Sequence, residues 1–162
     1  MASPHPRSIA QLNVRCAPPV TKRVGAVLGV ALPVQPNMVN TVGQRSALWL
    51  GPDEWLIVDE GKPASEVDVR TAFAPDWGSV VDVSGNRVMF EVAGPTARDL
   101  LAHGCPLDFH PRVFGPGQCA QTLFARAAVV LWQTDARPTY RILVRASFAD
   151  HIARWLADAA EV

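Results

Sequence analysis

The sequence predicts an α+β fold in which mixed or antiparallel sheets are covered by helices on one side. The main observation is that a unit of strand, turn, strand and helix recurs three times along the 162 residues, as three ββα units. A doubly wound parallel sheet would instead alternate single strands with helices, so Rossmann-type folds are disfavoured. A composition of 49% hydrophobic and 19% charged residues is typical of an ordinary globular domain, for which one core is enough.

The three ββα units share β-branched and aromatic runs that are separated by turn residues and followed by a helical pattern. Their strands and helices are expected at residues 46–50, 55–59 and 64–73; 78–84, 87–92 and 95–104; and 128–133, 139–145 and 147 onward. Pro52 presets the corner of the first turn, and Gly104 is expected to close the second helix as a C-terminal cap. Ser147 and Asp150 resemble a capping box at the start of the third helix.

Residues 1–23 are predicted to form an arm outside the α+β domain, which is expected to span residues 24–162. The arm contains four prolines and few large apolar side chains, so it cannot bury enough surface to order itself alone. No acidic residue occurs before Asp53, whereas this first third of the chain carries Arg7, Arg15, Lys22, Arg23 and Arg45. A basic arm of this kind can dock on an acidic partner surface or remain a solvated tail, and the sequence leaves both open.

An apolar run at residues 24–34 follows basic residues, as an export signal would. It begins late and lacks a small-residue cleavage site, and it is too short to span a bilayer, so it is interpreted as a buried strand. The three cysteines, Cys16, Cys105 and Cys119, are an odd number without a CxxC pair, which fits a reduced compartment. The sequence therefore predicts a cytoplasmic protein.

The motifs that usually bind nucleotides or activate a nucleophile are missing from the sequence. Gly25 and Gly29 are too sparse for GxGxxG, the segment 115–117 lacks the lysine of a phosphate loop, and there is no GxSxG elbow. A formal net charge of zero and a pI near 6.9 disfavour nucleic acid as a ligand. We therefore assign no catalytic, cofactor-binding or metal-binding residue from the sequence.

His103, Cys105, Asp108 and His110 are a candidate metal site, since they lie within eight residues and include the common zinc ligands. Their arrangement matches no familiar spacing. His103 falls in the last turn of the second predicted helix, where a cationic imidazole favours the helix dipole. Structural roles for these side chains are therefore favoured over metal binding or a metal-dependent hydrolase.

Two further groups of residues have both a structural and a functional interpretation. Asp82, Ser84 and Arg87 surround a Gly-Asn turn, and a local hydrogen-bond network is favoured over a ligand site. Trp77 lies in a loop and is a candidate anchor for a protein interface. The other tryptophans fall in strand or helix stripes and are expected in the core: Trp49, Trp55, Trp132 and Trp155.

An ordered set of segments carries a resemblance to a known family. The segments are residues 50–56 (LGPDEWL), 81–84 (VDVS) with Arg87, 94–97 (GPTA), 107–111 (LDFHP) through Phe114 and Gly117, 120–122 (AQT) and 145–149 (RASFA). In this order they resemble the gamma subunit of heterotetrameric sarcosine oxidase, over roughly residues 24–160. The resemblance implies a fold related to the folate-binding module of the glycine-cleavage T protein.

The resemblance also implies a function. In that family the complex oxidatively demethylates sarcosine to glycine with oxygen and tetrahydrofolate, giving hydrogen peroxide and methylene-tetrahydrofolate. FAD, FMN, NAD and the folate site are carried by the alpha and beta subunits, and zinc by the delta subunit. This chain is accordingly expected to carry no cofactor, to be non-catalytic alone, and to have the alpha, beta and delta subunits as partners. The alternative is a free-standing folate-binding or one-carbon (aminomethyl) transfer protein.

Overall fold

The computed structural model describes residues 6–160, which form two compact units. One unit consists of Ile9–Ser84, and the other contains the remaining described residues, 6–8 and 85–160. Each unit contains a five-stranded sheet whose neighbouring strands pair antiparallel. The predicted α+β class with antiparallel sheets is confirmed.

The described residues form ten strands and four α-helices. The strands are β1 (Arg7–Ser8), β2 (Ala10–Cys16), β3 (Val39–Val42), β4 (Arg45–Gly51), β5 (Glu54–Asp59), β6 (Gly78–Asp82), β7 (Arg87–Ala93), β8 (Cys119–Phe124), β9 (Ala127–Asp135) and β10 (Thr139–Arg145). The helices are α1 (Thr21–Leu28), α2 (Glu66–Thr71), α3 (Ala97–Ala102) and α4 (Ala149–Ala160).

In the unit Ile9–Ser84 the strand order is β3-β4-β5-β2-β6. Alternate residues of a strand point to one face, and on β2 the residues Leu12, Val14 and Cys16 join the core formed with α1 and α2. Trp55 is fully buried in the same core, and its indole Nε1 donates to the Pro33 carbonyl oxygen at 2.8 Å. Both helices therefore cover the same face of this sheet.

In the other unit the strand order is β1-β7-β10-β9-β8. Its core joins one face of this sheet to α3 and α4, with Tyr140 and Ile142 from β10, Leu101 from α3, and Ile152 and Leu156 from α4. The helical stripe predicted after residue 147 is thus buried as expected at Ile152 and Leu156.

The amino-terminal region differs from the predicted arm. Residues 10–16 form β2, which pairs with β5 on one side and β6 on the other and so lies inside the sheet. The run 24–34 is not a strand, because its first part belongs to α1, whose buried residues include Val24 and Leu28. Gly29 ends this helix in the left-handed conformation, at φ 70°. Arg7 and Ser8 form β1, which pairs with β7, and residues 1–5 of the predicted arm lie outside the described residues. Whether the amino-terminal segment docks on a partner stays a prediction.

The two strands of the second predicted ββα unit do not pair with each other. Its strands β6 and β7 both exist, but β6 pairs with β2 and β7 pairs with β1 and β10, so the two strands belong to different sheets. The first and third units do pair as expected, since β4 pairs with β5 and β9 with β10. The division between the compact units falls between Ser84 and Gly85, in the turn that was expected to join β6 and β7.

Two helix ends differ from the sequence interpretation. Gly104 does not cap α3 in a left-handed conformation; the C-cap is His103, with right-handed dihedral angles. A Cβ on Gly104 would stand 2.7 Å from the Trp155 ring, so glycine is needed there for close packing. At the third helix a short 3-10 turn at Ala146–Phe148 precedes α4, so Ser147 is not the N-cap of that helix.

Replacing Arg126 by glycine is expected to raise the free energy of unfolding by about 0.5–1 kcal/mol. Ala125 and Arg126 form the β8–β9 turn with φ of 47° and 68°, a left-handed region that is costly for residues with a Cβ. The turn is held in place because Ala125 donates to the Gly104 carbonyl oxygen at 2.8 Å and accepts from His151 at 2.8 Å. Urea denaturation measures the gain. Arg126→Ala keeps the Cβ and should show no gain; an equal gain from alanine would contradict this explanation.

Candidate functional site

The four residues of the candidate metal site are engaged within the fold. The His103 Nδ1 lies 2.6 Å from the Asp99 carbonyl oxygen, and Asp108 accepts a bond from the His110 main-chain nitrogen at 2.8 Å. The Cys105 side chain is buried in the core. Within residues 6–160, no group of three or more His, Cys, Asp or Glu side chains is arranged to hold a metal ion.

Asp82 and Ser84 form the local hydrogen-bond network that the sequence suggested. The Asp82 carboxylate accepts from the Ser84 main-chain nitrogen at 2.8 Å and from its hydroxyl at 2.6 Å. Both bonds hold the pKa of Asp82 below its usual value, and the bond from the hydroxyl contributes more than the bond from the main-chain nitrogen. Ser84 Oγ in turn accepts from the Gln11 main-chain nitrogen at 2.9 Å, which ties the segment to β2. Arg87 lies on β7 in the other compact unit.

Several basic residues from the first third of the chain form ion pairs with acidic residues from later in the chain. Arg15 lies 2.9 Å from Asp53 and Arg23 lies 2.8 Å from Asp76. Two further ion pairs of the same kind are Arg7–Glu91 and Arg45–Asp59. The uneven distribution of charge along the sequence is therefore explained by ion pairs between distant parts of the chain. It does not require an acidic partner.

The Arg45–Asp59 pair is the most buried of these ion pairs. The Asp59 side chain is 4% exposed and that of Arg45 is 23% exposed. Arg45 Nε donates to Asp59, while its two other nitrogens donate to the carbonyl oxygens of Leu28 and, at 3.0 Å, Lys62. The second Asp59 oxygen accepts from the Ala64 nitrogen at 2.9 Å. The pair thus joins β4 and β5 to the end of α1 and the loop before α2, which is a structural role.

Among the surface concavities beside α1, two differ clearly in character. One is an apolar groove of about 600 Å³ between α1 and the loop that follows it, with Lys22 as its titratable residue. The other is polar, about 300 Å³, and contains Arg45, Asp59 and Lys62. Because the Arg45–Asp59 pair is already used in the fold, neither concavity presents a nucleophile together with a base.

Cys16 is fully buried, and burial, with a smaller contribution from the Asp53 charge, raises its pKa to about 11. The folded state therefore favours the neutral thiol. This contribution to stability is complete below the unfolded pKa near 9 and is lost as pH rises through about 11. We expect urea denaturation to show a fall in stability between these pH values, and we expect the fall to be smaller in Cys16→Ala. Equal slopes in both proteins would contradict the assignment.

Trp77 is the exposed tryptophan of the described residues, whereas Trp55 and Trp132 are fully buried. The side chain of Trp77 is 55% exposed, and it stands immediately before β6. Val81, further along the same strand, is 50% exposed. The candidate functional feature of this chain is thus an exposed apolar surface, as expected for Trp77 from the sequence, and it is located at the edge of a sheet.

No α-helix among residues 6–160 is long and apolar enough to cross a membrane. Residues 15–161 match the family model described as "Sarcosine oxidase, gamma subunit family". The chain is 40% identical over 152 residues to a sarcosine oxidase subunit gamma of Corynebacterium sp. (strain U-96), covering 92% of this chain and 74% of that protein. It is 36% identical to the corresponding subunit of an Arthrobacter species, with the same coverage.

Solved structures agree with these relatives. Heterotetrameric sarcosine oxidase from Corynebacterium sp. U-96, in complex with pyrrole 2-carboxylate, matches with a TM-score of 0.87 and 37% identity, covering 94% of this chain and 80% of the matched chain. The glycine cleavage system aminomethyltransferase T from Bartonella henselae matches with a TM-score of 0.63 at 13% identity, over 93% of this chain and 44% of that one. The second likeness confirms the predicted T-protein-like fold. The chain belongs to the sarcosine oxidase gamma subunit family.

Proposed function

We propose that this chain is the gamma subunit of a heterotetrameric sarcosine oxidase and that it supports the assembly or stability of the complex without taking part in the chemistry itself. The observation that carries the proposal is the match, at a TM-score of 0.87 over 94% of the chain, to a chain of a heterotetrameric sarcosine oxidase. The complex would oxidatively demethylate sarcosine to glycine, using oxygen and tetrahydrofolate. Its products would include hydrogen peroxide and methylene-tetrahydrofolate.

The contacts of Asp82 and Asp59 support a non-catalytic role. A general base must lie within hydrogen-bond reach of the proton that it removes. The Asp59 carboxylate is only 4% exposed and is engaged with Arg45 and the Ala64 nitrogen, and the Asp82 carboxylate is engaged with Ser84. The partners of the chain would then be the alpha, beta and delta subunits. FAD, FMN, NAD, tetrahydrofolate and zinc would be carried by those subunits, and the complex would be cytoplasmic.

The test is co-expression of the tagged chain with its genomic neighbours, followed by purification, an absorbance spectrum and a sarcosine-dependent peroxide assay. We expect a yellow complex of several subunits that oxidises sarcosine, and a tagged chain that is colourless and inactive when purified alone. A monomer that recruits no flavoprotein refutes the proposal. Direct titration of that monomer with tetrahydrofolate then tests the alternative, a folate-binding or one-carbon transfer protein, which the aminomethyltransferase-like fold allows.

A further inference from the structure

Strand β6 is an edge strand whose main chain faces away from the sheet at alternate residues. It pairs with β2 on one side and is last in the strand order. The Val83 nitrogen donates to the Gln11 carbonyl oxygen and Trp77 accepts from the Ala17 nitrogen, so odd-numbered residues bond towards β2. The N–H and C=O groups of Gly78, Val80 and Asp82 therefore point outward.

A contact from outside the sheet supports this orientation. Arg70 Nη2, from α2, donates to the Val80 carbonyl oxygen at 3.3 Å. Arg70 also pairs with Glu66 one turn earlier, and its side chain is 59% exposed. A long bond from an exposed side chain is readily exchanged for one from a main-chain N–H, which needs less side-chain ordering. The outward carbonyl oxygens of β6 are therefore able to accept hydrogen bonds from groups outside the sheet.

The two faces of β6 differ in how they are covered. On the helix side Val80 is buried, and the Phe73 ring packs so closely that there is no room for a Cβ on Gly78. The opposite face carries Trp77, Ser79 and Val81 at alternate positions, and all three are exposed. We name this row of three side chains the β6 strip. An exposed tryptophan next to another exposed apolar side chain is typical of interface anchors.

Two ion pairs flank the β6 strip. Arg15 and Asp53 lie beside Ser79 across the β2–β6 pair, and Arg23 and Asp76 lie next to Trp77. Interfaces commonly combine an apolar centre with a polar rim of this kind. A charged occupant would have to compete with these pairs, whereas an uncharged extended segment would not.

We propose that β6 receives an extended segment of another subunit of the complex as a sixth strand of the sheet, with Trp77 and Val81 packing against alternate apolar side chains of that segment. The outward main-chain groups supply hydrogen bonds and the β6 strip supplies the side-chain contacts, as in strand addition generally. The other edge strands, β1, β3 and β8, carry no exposed aromatic residue. This inference rests on the proposed function.

The first test compares variants by co-purification of the full-length chain with the other subunits at graded concentrations. Trp77→Ala and Val81→Lys should each weaken retention at least about tenfold, because the first removes the anchor and the second places a lysine on the edge. The control is Val42→Lys, the same change at a valine that is 58% exposed on β3, the opposite edge of the same sheet. It should be retained like the unaltered chain.

The second test follows the main chain by amide hydrogen exchange of the free chain and of the complex. Exchange at Val80 and Asp82 should slow at least about tenfold on assembly, and that at Thr41, whose N–H faces outward at the β3 edge, should not. If the unaltered chain assembles while both β6 variants assemble equally well, or Val42→Lys is weakened as much as they are, strand addition at β6 is refuted and the proposed function stands. If the unaltered chain recruits no subunit, both proposals fail.

Discussion

Replacing Asp59 by alanine is expected to lower the free energy of unfolding by about 3 kcal/mol. The Asp59 side chain is 4% exposed and is the carboxylate partner of Arg45. Without it the guanidinium remains largely buried with two carbonyl acceptors and no counter-charge, and the Ala64 nitrogen loses its acceptor. Removing one partner of a buried pair is far more costly than the pair itself is stabilising, because an uncompensated charge is left behind.

Urea denaturation followed by tryptophan fluorescence measures this loss. The matched control is Asp53→Ala, which breaks the exposed Arg15–Asp53 pair at 2.9 Å and should cost less than about 1 kcal/mol. Asp59→Asn keeps the shape and one acceptor for the Ala64 nitrogen, so its loss should fall between the two alanine variants. A loss in Asp59→Ala no larger than in Asp53→Ala would show that the pair does not hold β4 and β5 to the end of α1.

The sequence identified the elements whose signals are local. The strands β4, β5 and β9 follow apolar runs, β10 an alternating pattern and α4 a helical pattern, and each element carries its signal within itself. Helix α1 was missed because its valines suggested a strand, although local signals for it were present. Val20, Val24 and Leu28 recur every four residues and are buried, Pro18 and Pro19 stand at the preceding turn, and Gly29 follows.

The sequence interpretation failed where a partner comes from far along the chain. Gly85-Asn86 is a strong local turn signal, yet β6 on one side of it pairs with β2. Pairing over such a separation depends on burying one face of each strand, which no window of sequence around the turn can show. For the same reason the sequence does not predict β2, whose residues fall within the predicted arm.

The candidate site shows the same contrast. Trp77 could be singled out from its loop context, and its exposure agrees with that interpretation. Its neighbour in the β6 strip, Val81, could not be recognised, because a valine in a strand is more often buried. The sequence also does not reveal the Arg45–Asp59 pair, because Arg45 stands out only as one member of the basic excess. Its acidic partner lies on the adjacent strand, and only the β4–β5 register brings them together.

Replacing Gly78 by alanine is expected to lower the free energy of unfolding by about 2–3 kcal/mol. A Cβ there would stand 2.6 Å from one Cδ atom of the Phe73 ring and closer still to its Cγ. Phe73 belongs to the core between the helices and the sheet, so the ring cannot swing aside without leaving a void. Either the ring or the strand β6 has to move, and both movements lose packing.

Thermal and urea denaturation of Gly78→Ala measure this effect, with Gly85→Ala as the matched control. A Cβ on Gly85 would meet no atom within 4 Å, and we expect that variant to stay within about 0.5 kcal/mol of the unaltered chain. Phe73→Leu removes the ring, so the loss in the double variant should be smaller than the sum of the two single losses. Additive losses, or a Gly78→Ala variant as stable as Gly85→Ala, would mean that the Phe73 ring does not hold β6 against the core.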